Sequence, residues 1–390
     1  MSKRDLKPVQ LKTELEKCLH CATKPCMKAC PVHCSPCDFI FAAKSGDWQK
    51  AARLIQQQNP LAQSCGLICP AKFCMKACVR ANMDMPIKIP AVQAAIMQKA
   101  GNDKIVFEDN SLCLDKRVAV IGSGPAGWGA ASILLEQGYG VTIFEMKNKI
   151  GGALNLIPEY RLPQEVIEAD WQRLSQNSKL ELKLNTYVQD YASLLEQGFA
   201  GVIVAVGEQQ SRFLGIEGEN FCISYVDYLC NPQKYQVCGD VAVVGGGEVA
   251  LDCALTAKQL GGNVEMFVRR RLSDMRMEKD GYADLVENEI NVTTMTRVSK
   301  IERQNNGLLN VFTVKTQFNS ENRLEDICDS EISRPNFSLV ILALGSRCGE
   351  TFSDNDFIRY AGDCVNGGTT AVEAVASGKK AAQELLNKIS

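Results

Sequence analysis

The stretch VAVIGSGPAG, residues 118–127, decides how this chain reads. A β-branched run passes directly into G-x-G-x-x-G, made of Gly122, Gly124 and Gly127. The first glycine permits a tight turn, the second lets backbone approach a pyrophosphate, and the third lets helix and strand pack closely. Pro125 and Ala126 then open a helix whose free N–H groups face the phosphates. The next apolar run, VTIFE (141–145), ends in Glu145, a carboxylate placed to accept hydrogen bonds from a ribose 2′-OH. A bare glycine motif is weak, and its plain alternative is a structural turn. Here loop, strand context and acid agree. A later AGD (361–363) adds Gly362 and Asp363 to the site, with Thr369 shortly after.

The pattern recurs. Val118 to Phe144 aligns with Val241 to Phe267 at a constant offset of 123 residues. In the second copy, VAVVGGGEVA (241–250), the candidate residues are Gly245, Gly246, Gly247 and Glu248. Val268 stands where the first copy has its acid, and Arg269, Arg270 and Arg271 follow, with Arg276 near. A carboxylate would repel a 2′-phosphate, whereas guanidinium groups bind one through paired charge-assisted hydrogen bonds. The plain alternative is a solvated basic strand end. The expectation is FAD in the first site and NADPH in the second, with NADH possible. GVIVAVG (201–207) and LVILALG (339–345) read as further buried strands of parallel sheet. The last segment, 360–386, is expected to return to the first unit, leaving the second as an insertion. Disulfide reductases share this layout but need a close cysteine pair beside the flavin, and none occurs after residue 78. Electrons must leave by another route.

That route is suggested by the amino-terminal region. Of 18 cysteines, ten fall between Cys18 and Cys78. The other eight are single and read as ordinary buried small residues. With no secretory signal at MSKRDLKPVQ, a disulfide framework is not expected, and metal or redox use is the better reading. Cys18, Cys21, Cys26 and Cys30 form C-x2-C-x4-C-x3-C-P, and Cys69, Cys74 and Cys78 form C-x4-C-x3-C. Thiolates at this density suit two [4Fe–4S] clusters, which need eight ligands. For the eighth, Cys34, Cys37, Cys65 or a non-cysteine remain open; four-thiolate zinc is the structural alternative. DWQKAARLIQQQ (47–58) and IPAVQAAIMQKA (89–100) carry helical apolar spacing. Only two histidines are present, which leaves little material for triad hydrolysis or His-ligated metal. A net charge of −2 gives no case for nucleic acid, and no apolar run is long enough for a membrane helix. The expected location is cytoplasmic.

The stretches CLHCATKPCMKACP, NPLAQSCGLICPAKFCMKAC, GSGPAG, IPEYRLP, VVGGGEVALDCA and GDCVNGGTTAVEAV together resemble the small flavin subunit of bacterial dihydropyrimidine dehydrogenases. That group is similar in turn to the glutamate synthase small subunit. The resemblance implies one cluster on Cys18, Cys21, Cys26 and Cys78, and another on Cys30, Cys69, Cys74 and Gln93, the last lying 15 residues after Cys78. It implies a flavin contact at Arg161, and Gly152 joins the flavin-side candidates. By resemblance, Gln93 favours the pyrimidine branch over the glutamate synthase branch, which carries an acid there. The implied partner is an FMN-containing catalytic subunit with ferredoxin-type clusters in a hetero-oligomer. A glutamate synthase small subunit, a ferredoxin:NADP oxidoreductase subunit and a non-enzymatic metal module are the alternatives. The expected architecture is α/β: an α-helical Fe–S domain (1–115), then two nested Rossmann-like domains in a glutathione-reductase-like layout, for FAD (116–212 and 335–390) and NADPH (213–334). Only 15 residues separate LALG from AGD, so a strand or loop near the flavin is expected to be trimmed.

Overall fold

The computed structural model describes residues 5–101, 115–349, 352 and 355–389. The chain forms two compact units, Met1–Gln209 with Cys348–Ser390, and Gln210–Arg347.

In the first unit the amino-terminal region is helical: Pro8–Glu16, Pro36–Lys44, Trp48–Gln56, Ala62–Ile68 and Ile89–Ala100. Asp47 caps Trp48–Gln56 by accepting from Lys50 N at 2.9 Å. Removing such a cap typically costs about 1 kcal/mol. Ala51, Ala52 and Ile55 form the buried face of that helix and meet Phe39, Ile40, Val92 and Ile96.

Beyond it lies a five-stranded parallel sheet in the order Ile358–Tyr360, Gly201–Val204, Arg117–Ile121, Gly140–Phe144, Leu180–Lys183. Val118, Ala119 and Val120 are fully buried, as a strand covered on both faces requires. The helix Pro125–Glu136 crosses one face, and Ala371–Ile389 packs against it so closely that a methyl group at Gly129 would lie 2.3 Å from the Val375 carbonyl oxygen. The carboxy-terminal helix thus does return to the first unit.

The second unit repeats the motif. Asp240–Val244, Glu248–Gln259 and Asn263–Val268 stand in the places of Arg117–Ile121, Pro125–Glu136 and Gly140–Phe144. Its main sheet runs Thr296–Arg303, Leu309–Phe318, Ile332–Leu342, Asp240–Val244, Asn263–Val268, Asn291–Thr294; the last four pair in parallel and the first two are joined antiparallel.

Two readings of the sequence need adjustment. The strand Ile332–Leu342, which holds most of LVILALG, pairs with Asp240–Val244, so the chain re-enters the first unit at Cys348 rather than at 335. An apolar strand fits either sheet, and sequence pattern alone does not assign it. Of the eight single cysteines, Cys230, Cys238 and Cys328 are exposed, at a helix end and in connecting loops, rather than buried; Cys253 and Cys364 are buried. Cys113 and residues 350, 351, 353 and 354 of the shortened segment lie outside the described residues. No helix among the described residues is long and apolar enough to cross a membrane.

Candidate cluster and dinucleotide sites

Two thiol-lined cavities lie in the amino-terminal helices. Cys18, Cys21, Cys26 and Cys78 line the first, which is otherwise walled mainly by Ile40, Ile87 and other apolar residues. Cys18 follows the helix Pro8–Glu16, Cys26 sits in the single turn Pro25–Lys28, and Cys78 precedes the turn Val79–Asn82. His20 and Lys24 adopt positive φ, 50° and 43°, folding the loop back on itself. Lys24 Nζ anchors it by donating to both carboxylate oxygens of Asp38 at 2.7 Å. Burial pushes the Cys26 thiol up to about 11 and raises Cys18. Grouped thiols in an apolar wall resist ionisation, and a bound cation reverses that preference. The donor set fits an iron–sulfur cluster.

Cys30, Cys69, Cys74 and Gln93 line the second cavity, together with Cys34 and Cys65. Cys69 ends the helix Ala62–Ile68, and Gln93 lies in Ile89–Ala100. These helices touch backbone to backbone at Gly66, where an added methyl would sit 2.6 Å from Ala94 N. That contact seats Gln93 beside the first helix: its Nε2 donates to the Ala62 carbonyl at 2.6 Å, which leaves Oε1 as the atom able to ligate. The neighbouring Cys34 holds the Cys30 thiol down to about 6, while Cys34 itself is raised and donates to the Ile55 carbonyl at 3.7 Å. Burial lifts Cys65 to about 12 and raises Cys74 as well.

The second cavity abuts the sheet domain. Val372 of the carboxy-terminal helix lines it, and Cys34 and Cys65 share one apolar core with Ala126 and Trp128. The helix carrying Cys65 is capped from across the joint. Asp170, fully buried in Gln164–Ser175, accepts from Gln63 N at 3.0 Å and Ser64 N at 2.7 Å. Arg173 Nη1 donates to the same carboxylate at 2.9 Å. Sequence reading missed this pair, because an acid and an arginine three apart on a helix look like an exposed ion pair.

The first glycine loop is a backbone cradle. Gly122 has φ +102°, and a methyl there would meet the Ala205 carbonyl oxygen at 2.5 Å; at Gly127 it would lie 2.0 Å from the Gly122 carbonyl oxygen. Gly124 caps the helix that begins with Pro125 and Ala126, and the backbone of Gly152 lies against it. Glu145 is turned into the loop: Oε2 accepts from Ser123 N at 2.9 Å and Ser123 Oγ at 2.7 Å, and Oε1 from Lys147 N at 2.9 Å. Its role in holding the loop's shape was not legible in the motif. Gly362 packs on Ala126, and Asp363 accepts from Thr369 N and Oγ1 at 3.1 and 2.5 Å. Arg161 lies half-buried in the turn after Pro158. The tight glycine turn opening onto the N-terminus of Pro125–Glu136 fits a dinucleotide.

In the second unit Gly245 and Gly246 make the corresponding turn, and Gly247 caps Glu248–Gln259. Arg276 N donates to the Gly246 carbonyl at 2.9 Å, and Glu248 Oε1 accepts from Glu278 N at 2.5 Å. Arg269 and Arg276 are exposed and Arg270 is half-buried; none of the three has a carboxylate partner among the described residues. Arg271 instead covers the Phe318 ring at 4.4 Å. Three unpaired guanidinium groups beside a glycine loop suit an anionic phosphate.

Known proteins agree with this division. Residues 2–105 match the family described as dihydropyrimidine dehydrogenase domain II, 4Fe-4S cluster, and residues 116–355 match pyridine nucleotide-disulphide oxidoreductase. The chain is 30% identical to the NAD-dependent dihydropyrimidine dehydrogenase subunit PreT of Escherichia coli O157:H7, over 95% of this chain and 92% of that one. It is 28% identical to the glutamate synthase [NADPH] small chain of Escherichia coli K12, over 97% and 91%. Its fold resembles Mycobacterium tuberculosis FprA in complex with NADPH, with a TM-score of 0.58 at 18% identity, covering 70% of this chain and 84% of that one. It is an oxidoreductase whose cofactors are [4Fe–4S] clusters, FAD and NAD(P)H. The chain belongs to the pyridine nucleotide-disulphide oxidoreductase family, within the group of flavin and iron–sulfur subunits that includes PreT.

Proposed function

We propose that this chain is the electron-input subunit of a pyrimidine-reducing enzyme, drawing on NADPH and feeding an FMN-containing partner with ferredoxin-type clusters. Bound flavin converts hydride transfer into one-electron steps, and bound clusters carry single electrons. The chain's own residues supply position and electrostatics. Cys18, Cys21, Cys26 and Cys78 are assigned to the first cluster, and Cys30, Cys69, Cys74 and Gln93 to the second. The loop of Gly122, Gly124 and Gly127, with Gly152, Arg161, Gly362, Asp363 and Thr369, is assigned to FAD. Gly245 to Glu248 are assigned to the nicotinamide dinucleotide, with Arg269, Arg270 and Arg276 on its 2′-phosphate.

One observation carries the reading: Cys34 and Cys65, in the wall of the second cavity, belong to the same apolar core as Ala126 of the first glycine loop. Continuous packed protein between a flavin loop and a cluster cavity is what internal electron transfer needs. The test uses the full chain purified without oxygen. Alone, it is expected to reduce dyes with NADPH and leave uracil and thymine unchanged; adding the FMN partner is expected to start pyrimidine reduction. Uracil reduction by the chain alone would refute the partner requirement, and absence of NADPH–dye activity would refute the whole reading. A second reading, delivery to a large amidotransferase subunit, is favoured by the 97% coverage of the match to the glutamate synthase small chain. Electron delivery to that partner and not to the FMN partner would select it.

A further inference from the structure

The first cavity contains one thiol more than a four-iron cluster uses. Cys37 lines it beside Cys18, Cys21, Cys26 and Cys78. Each iron of a cubane takes a single protein ligand, so on the assignment above Cys37 is surplus. Its position is not incidental. Donor atoms of Cys18, His20 and Cys37 all lie within 4.8 Å of one another. Cys37 Sγ is 3.6 Å from His20 Nδ1.

The element that carries Cys37 is held without help from any cluster. It is the second residue of Pro36–Lys44, whose Phe39, Ile40, Ala42 and Ala43 are buried in the helical core. The next residue, Asp38, is pinned by Lys24. His20 stands edge-on to Phe41 of the same helix, ring centroids 5.5 Å apart. A thiol fixed this way stays at the cavity wall when a neighbouring ligand is lost. Cys78 and Cys26 are presented by short turns, and neither belongs to this trio of donors.

We propose that Cys37 is a reserve ligand for the iron served by Cys18, able to replace that thiolate when it is missing or displaced, with His20 beside the Cys37 sulfur while Cys37 is unbound. The inference rests on the assignment of a [4Fe–4S] cluster to Cys18, Cys21, Cys26 and Cys78. Ligand replacement moves no electrons: the Cys37 thiol loses its proton as it bonds the iron, and that proton goes to the displaced Cys18 thiolate or, where Cys18 is missing, to solvent.

The test measures iron and acid-labile sulfide in anaerobically purified full chain, with bound flavin as the check on folding. Wild type is expected to hold about eight iron atoms, from two four-iron clusters. Cys18→Ala is expected to keep about eight, with a changed electron paramagnetic resonance spectrum on reduction, and Cys18→Ala/Cys37→Ala to fall to about four. Cys21→Ala, which has no thiol in reserve, is also expected to fall to about four. Should Cys18→Ala fail to fold, Cys18→Ser takes its place. In either variant native alkylation is expected to spare Cys37 until iron is chelated. Loss of half the iron in the Cys18 single variant, or retention of all of it in the double variant, overturns the proposal. Wild type without iron would instead overturn the cluster assignment beneath it.

Discussion

Replacing Asp170 by alanine tests how the helical region is joined to the sheet. The carboxylate is fully buried and has three donors: Gln63 N, Ser64 N and Arg173 Nη1. Removal leaves two amides at the start of Ala62–Ile68 without an acceptor, a cap loss of about 1–2 kcal/mol. It also takes the carboxylate from Arg173, whose side chain is 3% exposed and also contacts Gln63 Oε1 at 3.3 Å and the Gly101 carbonyl at 3.4 Å. Breaking a buried pair from one side costs about 3–5 kcal/mol. The two losses overlap, because the same carboxylate serves both, so the expected destabilisation is about 4 kcal/mol in all. Burial raises the Asp170 carboxyl above its ordinary value despite the arginine and the amides. The pair is therefore costly to create and costlier to halve. Asp170→Leu/Arg173→Met should accordingly lose less than Asp170→Ala. Denaturant unfolding followed by circular dichroism measures both. Iron release should quicken as well, since the uncapped helix ends at Cys69. An Asp170→Ala protein within about 0.5 kcal/mol of wild type, the range of ordinary surface changes, would refute the reasoning.

Three further outcomes are expected. Gly127→Ala forces a methyl to 2.0 Å from the Gly122 carbonyl oxygen, so purified protein should have lost most of its flavin, read from visible absorbance. Arg269→Ala and Arg270→Ala should each raise KM for NADPH by about 10-fold or more, the worth of one charge-assisted contact, and leave KM for NADH little changed in a dye-reduction assay. Gln93→Ala should release the iron of the second cavity alone, halving the iron content while flavin is retained.

Much of this arrangement was legible because its geometry demands particular residues. A turn at φ +102° under a carbonyl admits only glycine, so Gly122 and its repeat Gly245 mark both loops without a structure. The helix Ile89–Ala100 follows directly from its apolar spacing. Grouping the cysteines was different. Spacing sets Cys78 beside Cys69 and Cys74, yet the chain doubles back and Cys78 lines the cavity of Cys18, Cys21 and Cys26. Gln93 looks like the polar face of a helix, and only the resemblance singled it out. Asp170 and Arg173 carried no signal, because their meaning depends on a helix more than 100 positions earlier. Cys34 and Cys37 were visible as a pair, but the helix that begins at Pro36 splits them between two cavities.

The central claim is that the thiol-lined cavities hold iron and sulfide in a chain that also holds flavin. Metal, labile sulfide and flavin analysis of the full chain, purified without oxygen, tests it most directly. The account predicts about eight iron atoms and eight sulfides for each bound FAD. Zinc in stoichiometric amount with neither iron nor sulfide would contradict it.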